Sequence, residues 1–141
     1  MLVINYIVGI YIIIVISVIL HELGHWTIAH ILKLKYKKMI LGSHFYILDT
    51  DHIALSIIIL NGAIEMNIDE LLAKKRLEVI FLFMVGPIIT VILCMLSFQI
   101  NHLIFRLSAI IYNGITFSLS MIPFIKGSDM NHMLSILSKI D

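Results

Sequence analysis

A chain of 141 residues that is 60% hydrophobic, with a mean hydropathy of +1.05, has the length of one domain and far more apolar content than a water-soluble domain carries. Its formal charge of +1 provides no basic surplus for a nucleic-acid partner, and its single cysteine, Cys94, excludes an internal disulfide framework or a cysteine metal site. What remains is a protein built for a bilayer, so the information lies in where the few polar residues fall.

Taken in chain order, Leu2 to Leu20 is uncharged and long enough to span, since a spanning helix needs about 20 apolar residues. It has no basic leader and runs into charged sequence rather than a small-residue cleavage site, which makes it a retained span rather than a signal peptide. The loop that follows holds two β-prone segments, KYKKMILGSHFYIL and HIALSIIIL, on either side of Asp49 to Asp51, the pattern of a hairpin. NIDELLAKKRLEVIF then opens with a capping residue and an acidic first turn, the start of a helix feeding a second span over Val79 to Phe98. A third runs from Leu107 to Ile125. With flanks, the expected helices cover about 2–32, 77–100 and 103–125. The fold class is thus an all-α membrane protein of three transmembrane helices, one unit over 1–141, with a hairpin-bearing cytoplasmic or re-entrant loop between the first two.

Charge placement orients the chain. Of the ten Lys and Arg residues, only Arg106 lies on the side of the short turn at Asn101 and His102. The others fall in the first loop or after the third span, and loops near spans are enriched in Lys and Arg on the cytoplasmic side, which puts the N-terminus outside and the C-terminus inside. The isoleucine-rich, lysine-over-arginine usage suggests a bacterial cell membrane.

The first span ends in His21-Glu22-Leu23-Gly24-His25. On a helix, two histidines four residues apart share a face and reach one metal, for which zinc is the natural candidate, while the adjacent glutamate is placed to take a proton from water. An unpaired carboxylate in a span costs ~2.5 kcal/mol or more, so Glu22 is not idle decoration. Gly24 suits close helix packing and Trp26 an interfacial anchor, whereas His30, His44, His52 and His102 read as ordinary polar residues.

Catalytic zinc takes three protein ligands, so a distant residue must complete the site. Asp129 follows the third span on the side where the first helix ends, with Pro123 to stop the helix and Gly127 to turn the chain back; His132, three residues on, is the substitute.

With this motif ending the first span, Val85-Gly86-Pro87 in the second, and Pro123 then Asp129 after the third, the chain resembles the site-2 protease family of intramembrane zinc metalloproteases, over essentially its whole length as a minimal three-helix core. The resemblance implies one Zn²⁺ per chain held by His21, His25 and Asp129, Glu22 as the general base, and Gly86 with Pro87 as a packing element. It implies a β-hairpin around Met39 to Leu60 that receives substrate as an added strand. The family's later motif carries Asn where this chain has Ser120 and Gly where it has Met130, and the Pro-to-Asp spacing is slightly long. Asn113, three turns before Asp129's approach, either reaches substrate or packs with Gly114. The partners implied are the lipid bilayer, a transmembrane or membrane-anchored substrate such as a tethered regulator, signal-peptide remnant or peptide precursor, and a regulatory membrane protein. The competing reading is a catalytically inactive zinc-binding module serving immunity, assembly or regulation.

Overall fold

The computed structural model describes residues 2–42 and 45–140; His44 lies outside them. Three long helices dominate: α1 (Leu2–Ile31), α3 (Arg76–Ser97) and α4 (Leu103–Met121), each long and apolar enough to cross a membrane. Between α1 and α3 lie strands β1 (Tyr36–Leu41), β2 (Tyr46–Asp49), β3 (Ile53–Ser56) and β4 (Gly62–Met66) and the short helix α2 (Ile68–Leu72); α5 (Asp129–Leu137) closes the chain. Tyr6 near the start of α1 meets His102 and Phe105 at the start of α4, so α1 and α4 run parallel and α3 returns between them. Val3, Ile4, Ile7, Val8, Ile12 and Ile16 face outward along α1, a surface that water would not tolerate and lipid would.

Helix ends follow local chemistry. At the end of α1, Lys33 adopts positive φ (55°), and Leu34 N–H bonds back to Ala29 O at 2.9 Å, with the buried Leu34 side chain sealing the turn. The segment before the second span forms two helices rather than one. Asn67 caps α2, and the Glu78 carboxylate accepts from Lys75 N–H at 3.0 Å, starting α3 afresh at Arg76. The third helix stops at Met121, earlier than the expected residue 125, because Ile122 precedes Pro123 and is pushed to extended geometry (φ −85°, ψ 112°).

The loop holds a four-stranded sheet in the order β2-β3-β1-β4 in place of the single hairpin expected. The turn at Asp49 to Asp51 does join an antiparallel pair, β2 and β3. Gly42 (φ +88°), however, breaks the first β-prone segment in two, so that β1 pairs in parallel with β3 and antiparallel with β4, setting Leu41 opposite Gly62 and Lys38 opposite Glu65. A Cβ on Gly42 would overlap Ser56 and the Ile58 carbonyl, so only glycine fits this break. β4 is the sheet edge nearest the helices, and among the described residues no strand pairs with its outer side. The larger buried cluster joins Ala29 and Leu34 to Leu71, Val79, Leu82, Phe83, Met133 and Ile136, tying α1, α2, α3 and α5 together.

Candidate metal centre

His21 and His25 lie on the buried face of α1, one turn apart, against α3. Their ring orientations come from that helix. Thr90 Oγ donates to Gly86 O at 3.0 Å and so presents its oxygen to His21 Nδ1–H at 2.8 Å; His25 Nδ1–H donates to Leu82 O at 2.7 Å. Leu82, Gly86 and Thr90 fall at i, i+4 and i+8 and form one stripe facing α1. With both Nδ1 atoms committed, both Nε2 lone pairs turn inward, 3.3 Å apart.

Asp129 arrives from the opposite side. After Pro123 the chain turns through Gly127 (φ +92°), Ser128 caps α5 by accepting from Asn131 N–H at 3.1 Å, and Asp129 becomes the first residue of that helix. Two further bonds lock the turn onto the end of α4: Ser128 Oγ donates to Ile122 O at 2.7 Å, and Asn131 Nδ2 donates to Pro123 O at 2.8 Å. The Asp129 carboxylate is thereby set 3.3 Å from His21 Nε2 through one oxygen and 3.3 Å from His25 Nε2 through the other.

Three inward-facing acceptors demand positive charge between them, and their geometry suits a metal ion. Donors about 2.05 Å from a tetrahedral zinc lie ~3.3 Å from one another, the separation found for the two Nε2 atoms and for each ring against the carboxylate. One ligand atom from each residue lies within 4.8 Å of the others. Gly86 leaves room at the centre: a Cβ built there would sit 2.5 Å from His21 Nε2 and closer still to His25 Nε2, nearly at metal–ligand distance from both. His132 is not part of this group; its ring stacks on Phe83 instead.

Glu22 is buried beside the pair and has no hydrogen-bond partner among the described residues. Gly62, at the start of β4, lies directly over it, where a Cβ would stand 2.8 Å from Glu22 Oε1. A cleft of about 340 Å³ opens from His21, Glu22 and Asp129 between α1, α4 and the start of β4, with Tyr112 and Ser120 in its wall. Tyr112, whose hydroxyl donates to Leu60 O at 3.0 Å, holds the chain leading into β4 against α4.

Other expected residues lie elsewhere. Asn113 is buried at the α1–α3–α4 interface, donating to Ala109 O, and lines a different, apolar cavity of about 250 Å³ rather than the cleft. Its expected packing mate Gly114 has nothing within 4 Å and mediates no close approach. Gly24 does: Ile89 and Val85 of α3 fill the space beside it. Trp26 stacks on His30, with ring centroids 5.6 Å apart. Thr90, Gly62 and Tyr112 were not singled out from sequence. Thr90 alone carried a signal, as a hydroxyl one turn beyond Gly86 in an apolar span.

Comparison with known families matches residues 9–138 to the family model of peptidase family M50. No curated protein sequence matches the chain. His21, Glu22, His25 and Asp129 all fall inside the matched region, and the chain belongs to peptidase family M50, the site-2 protease family of membrane metalloproteases.

Proposed function

We propose that this chain is an active intramembrane zinc endopeptidase that hydrolyses a peptide bond of a transmembrane or membrane-anchored substrate near the cytoplasmic side of a bacterial membrane. His21, His25 and Asp129 hold one Zn²⁺ and Glu22 is the general base. When bound, the zinc ion supplies Lewis acidity to the scissile carbonyl and makes water acidic enough to ionise near neutral pH. Glu22 takes the proton from the attacking water and passes it to the leaving amine, for which an unpartnered carboxylate one residue from His21 is suitably placed. Thr90 and Leu82 O keep the two imidazoles aimed, and Gly62 lets β4 pass close over Glu22.

A substrate helix hides its carbonyls in its own hydrogen bonds and must unwind locally before it is cut; a strand partner offsets the lost bonds. The edge suited to that task is β4, which runs from Glu22 outward, rather than the hairpin within Met39 to Leu60. The observation that carries the reading is the convergence of His21, His25 and Asp129 with Glu22 at the head of an open cleft. In liposomes containing a transmembrane peptide, the wild type should cleave. Glu22→Gln should retain zinc and lose about 10²–10⁴-fold in rate, while His21→Ala and Asp129→Ala should lose the metal. Stoichiometric zinc without turnover on any membrane peptide would instead establish the inactive zinc-binding module.

A further inference from the structure

Beside the cleft at Glu22 lies a small pocket of about 90 Å³ against Glu22, His25 and Asp129, and next to it a groove of about 430 Å³ that shares Ala63, Ile64, Met66, Phe83 and His132 with that pocket. One wall of that groove is β4 from Ala63 to Met66; the other is α5 with His132 and Ser135, and Lys139 just beyond its end. The cleft on the other side of the centre is walled by Tyr112, Thr116 and Leu119 of α4, a spanning helix. A chain lying along β4 would therefore have its membrane-embedded part beside α4 and its emerging part between β4 and α5.

The emerging part meets a particular charge pattern. Lys37 and Lys139 both border the groove, both are exposed, and neither has an ion-pair or hydrogen-bond partner for its ammonium group among the described residues. Among the described residues one acidic side chain borders the groove, Glu65, which stands across the strand pair from Lys38; the Lys38 ammonium pairs with Asp49. Lys38 is already paired with Asp49, so Glu65 offsets part of the groove's charge, and Lys37 with Lys139 leaves it net positive. Gly62 stands against Glu22, and Met66 lies ~13 Å further along the strand, so these cations face a position about three to five residues from the cut.

Building on the protease reading above, we propose that the β4–α5 groove seats the segment of substrate emerging from the membrane and that Lys37 and Lys139 select acidic side chains in it. The corollary is discrimination. Resident spans carry Lys and Arg on their cytoplasmic flank, and two unpaired cations repel that flank, so ordinary membrane proteins are disfavoured and a substrate with an acidic juxtamembrane segment is preferred.

The test uses the full chain in lipid nanodiscs and one transmembrane peptide made with three flanks, carrying two Asp, two Asn or two Lys at the third to fifth positions beyond the cut. Wild-type protein should cleave the Asp peptide roughly fivefold more efficiently than the Lys peptide at low salt, mainly through KM, with the gap closing as salt rises. The double reversal Lys37→Glu with Lys139→Glu should invert the order, a result that loss of stability would not give. Binding of the same labelled peptides to Glu22→Gln protein reads the groove without turnover. A charge preference in binding with no cleavage by the wild type would overturn the protease reading and leave the groove standing. Equal binding of all three peptides, or a preference unmoved by the double reversal, would overturn this inference.

Discussion

Gly86→Ala isolates the geometry of the metal centre with one methyl group. The added Cβ would fall 2.5 Å from His21 Nε2 and 2.7 Å from its Cε1, and closer still to His25 Nε2. Neither ring can swing away, since each is tied through Nδ1 to α3, the helix that carries residue 86, at 2.8 Å and 2.7 Å. Overpacking of this kind costs about 1–3 kcal/mol, against a gain of ~1 kcal/mol from replacing a helical glycine. Zinc binding suffers more than stability, because the methyl occupies the space between the Nε2 atoms. The expected loss is at least ~100-fold in affinity, or ~2.7 kcal/mol. Zinc competition titration with a chromophoric chelator measures the first quantity, and thermal unfolding of the metal-free protein measures the second. Gly114→Ala is the matched control: it also lies within a span, has nothing within 4 Å, and should bind zinc as the wild type does while gaining up to ~1 kcal/mol. If Gly86→Ala binds zinc with wild-type affinity, or if the two alanine variants behave alike, Gly86 does not border the metal position.

Thr90→Val keeps the volume but removes the oxygen that accepts from His21 Nδ1–H; zinc affinity should fall about 10–100-fold with helix content unchanged by circular dichroism, and unchanged affinity would remove Thr90 from the site. Ser128→Ala deletes both the cap of α5 and the bond to Ile122 O, so it should cost about 1 kcal/mol in stability and weaken zinc less than Asp129→Ala does; a variant indistinguishable from the wild type in both measurements would show that the turn does not hold Asp129.

The two histidines and the three long helices were legible because their signals are periodic and local: a four-residue spacing on an apolar helix needs no knowledge of distant chain. Asp129 was legible only through its neighbours, Pro123 and Gly127, which announce that the helix stops and the chain turns. The sheet was misread for a physical reason. Alternating or apolar runs such as Lys35 to Leu48 show that a segment can be a strand but not where it breaks, and the break at Gly42 depends on contact with Ser56 and Ile58, which sequence spacing does not reveal. The same holds for Gly62, whose importance comes from lying over Glu22, forty residues earlier. Asn113 was open in the sequence between reaching substrate and packing, because an amide in a span suits either; in the structure it is buried between helices, bonds to Ala109 O on its own helix and lines an apolar cavity.

The centre is divided among elements in a way that bears on the two residues, Ser120 and Met130, at which the chain departs from the family pattern. α1 carries both imidazoles, α3 carries no inward donor but orients both rings and leaves the gap at Gly86, the turn after α4 supplies the anion, and β4 covers Glu22. Met130 packs against the buried cluster around Leu82 and Met133, and Ser120 lines the cleft. In place of the glycine that follows Asp in the family, the turn is secured by Gly127 before Asp129 and by Ser128 and Asn131 bonding to the end of α4. A substitution at Met130 therefore acts through the packing of α5, and one at Ser120 through whatever occupies the cleft. Neither position is within the set of atoms that would hold the ion, which places the chain's divergence on the side of substrate and stability rather than of metal binding.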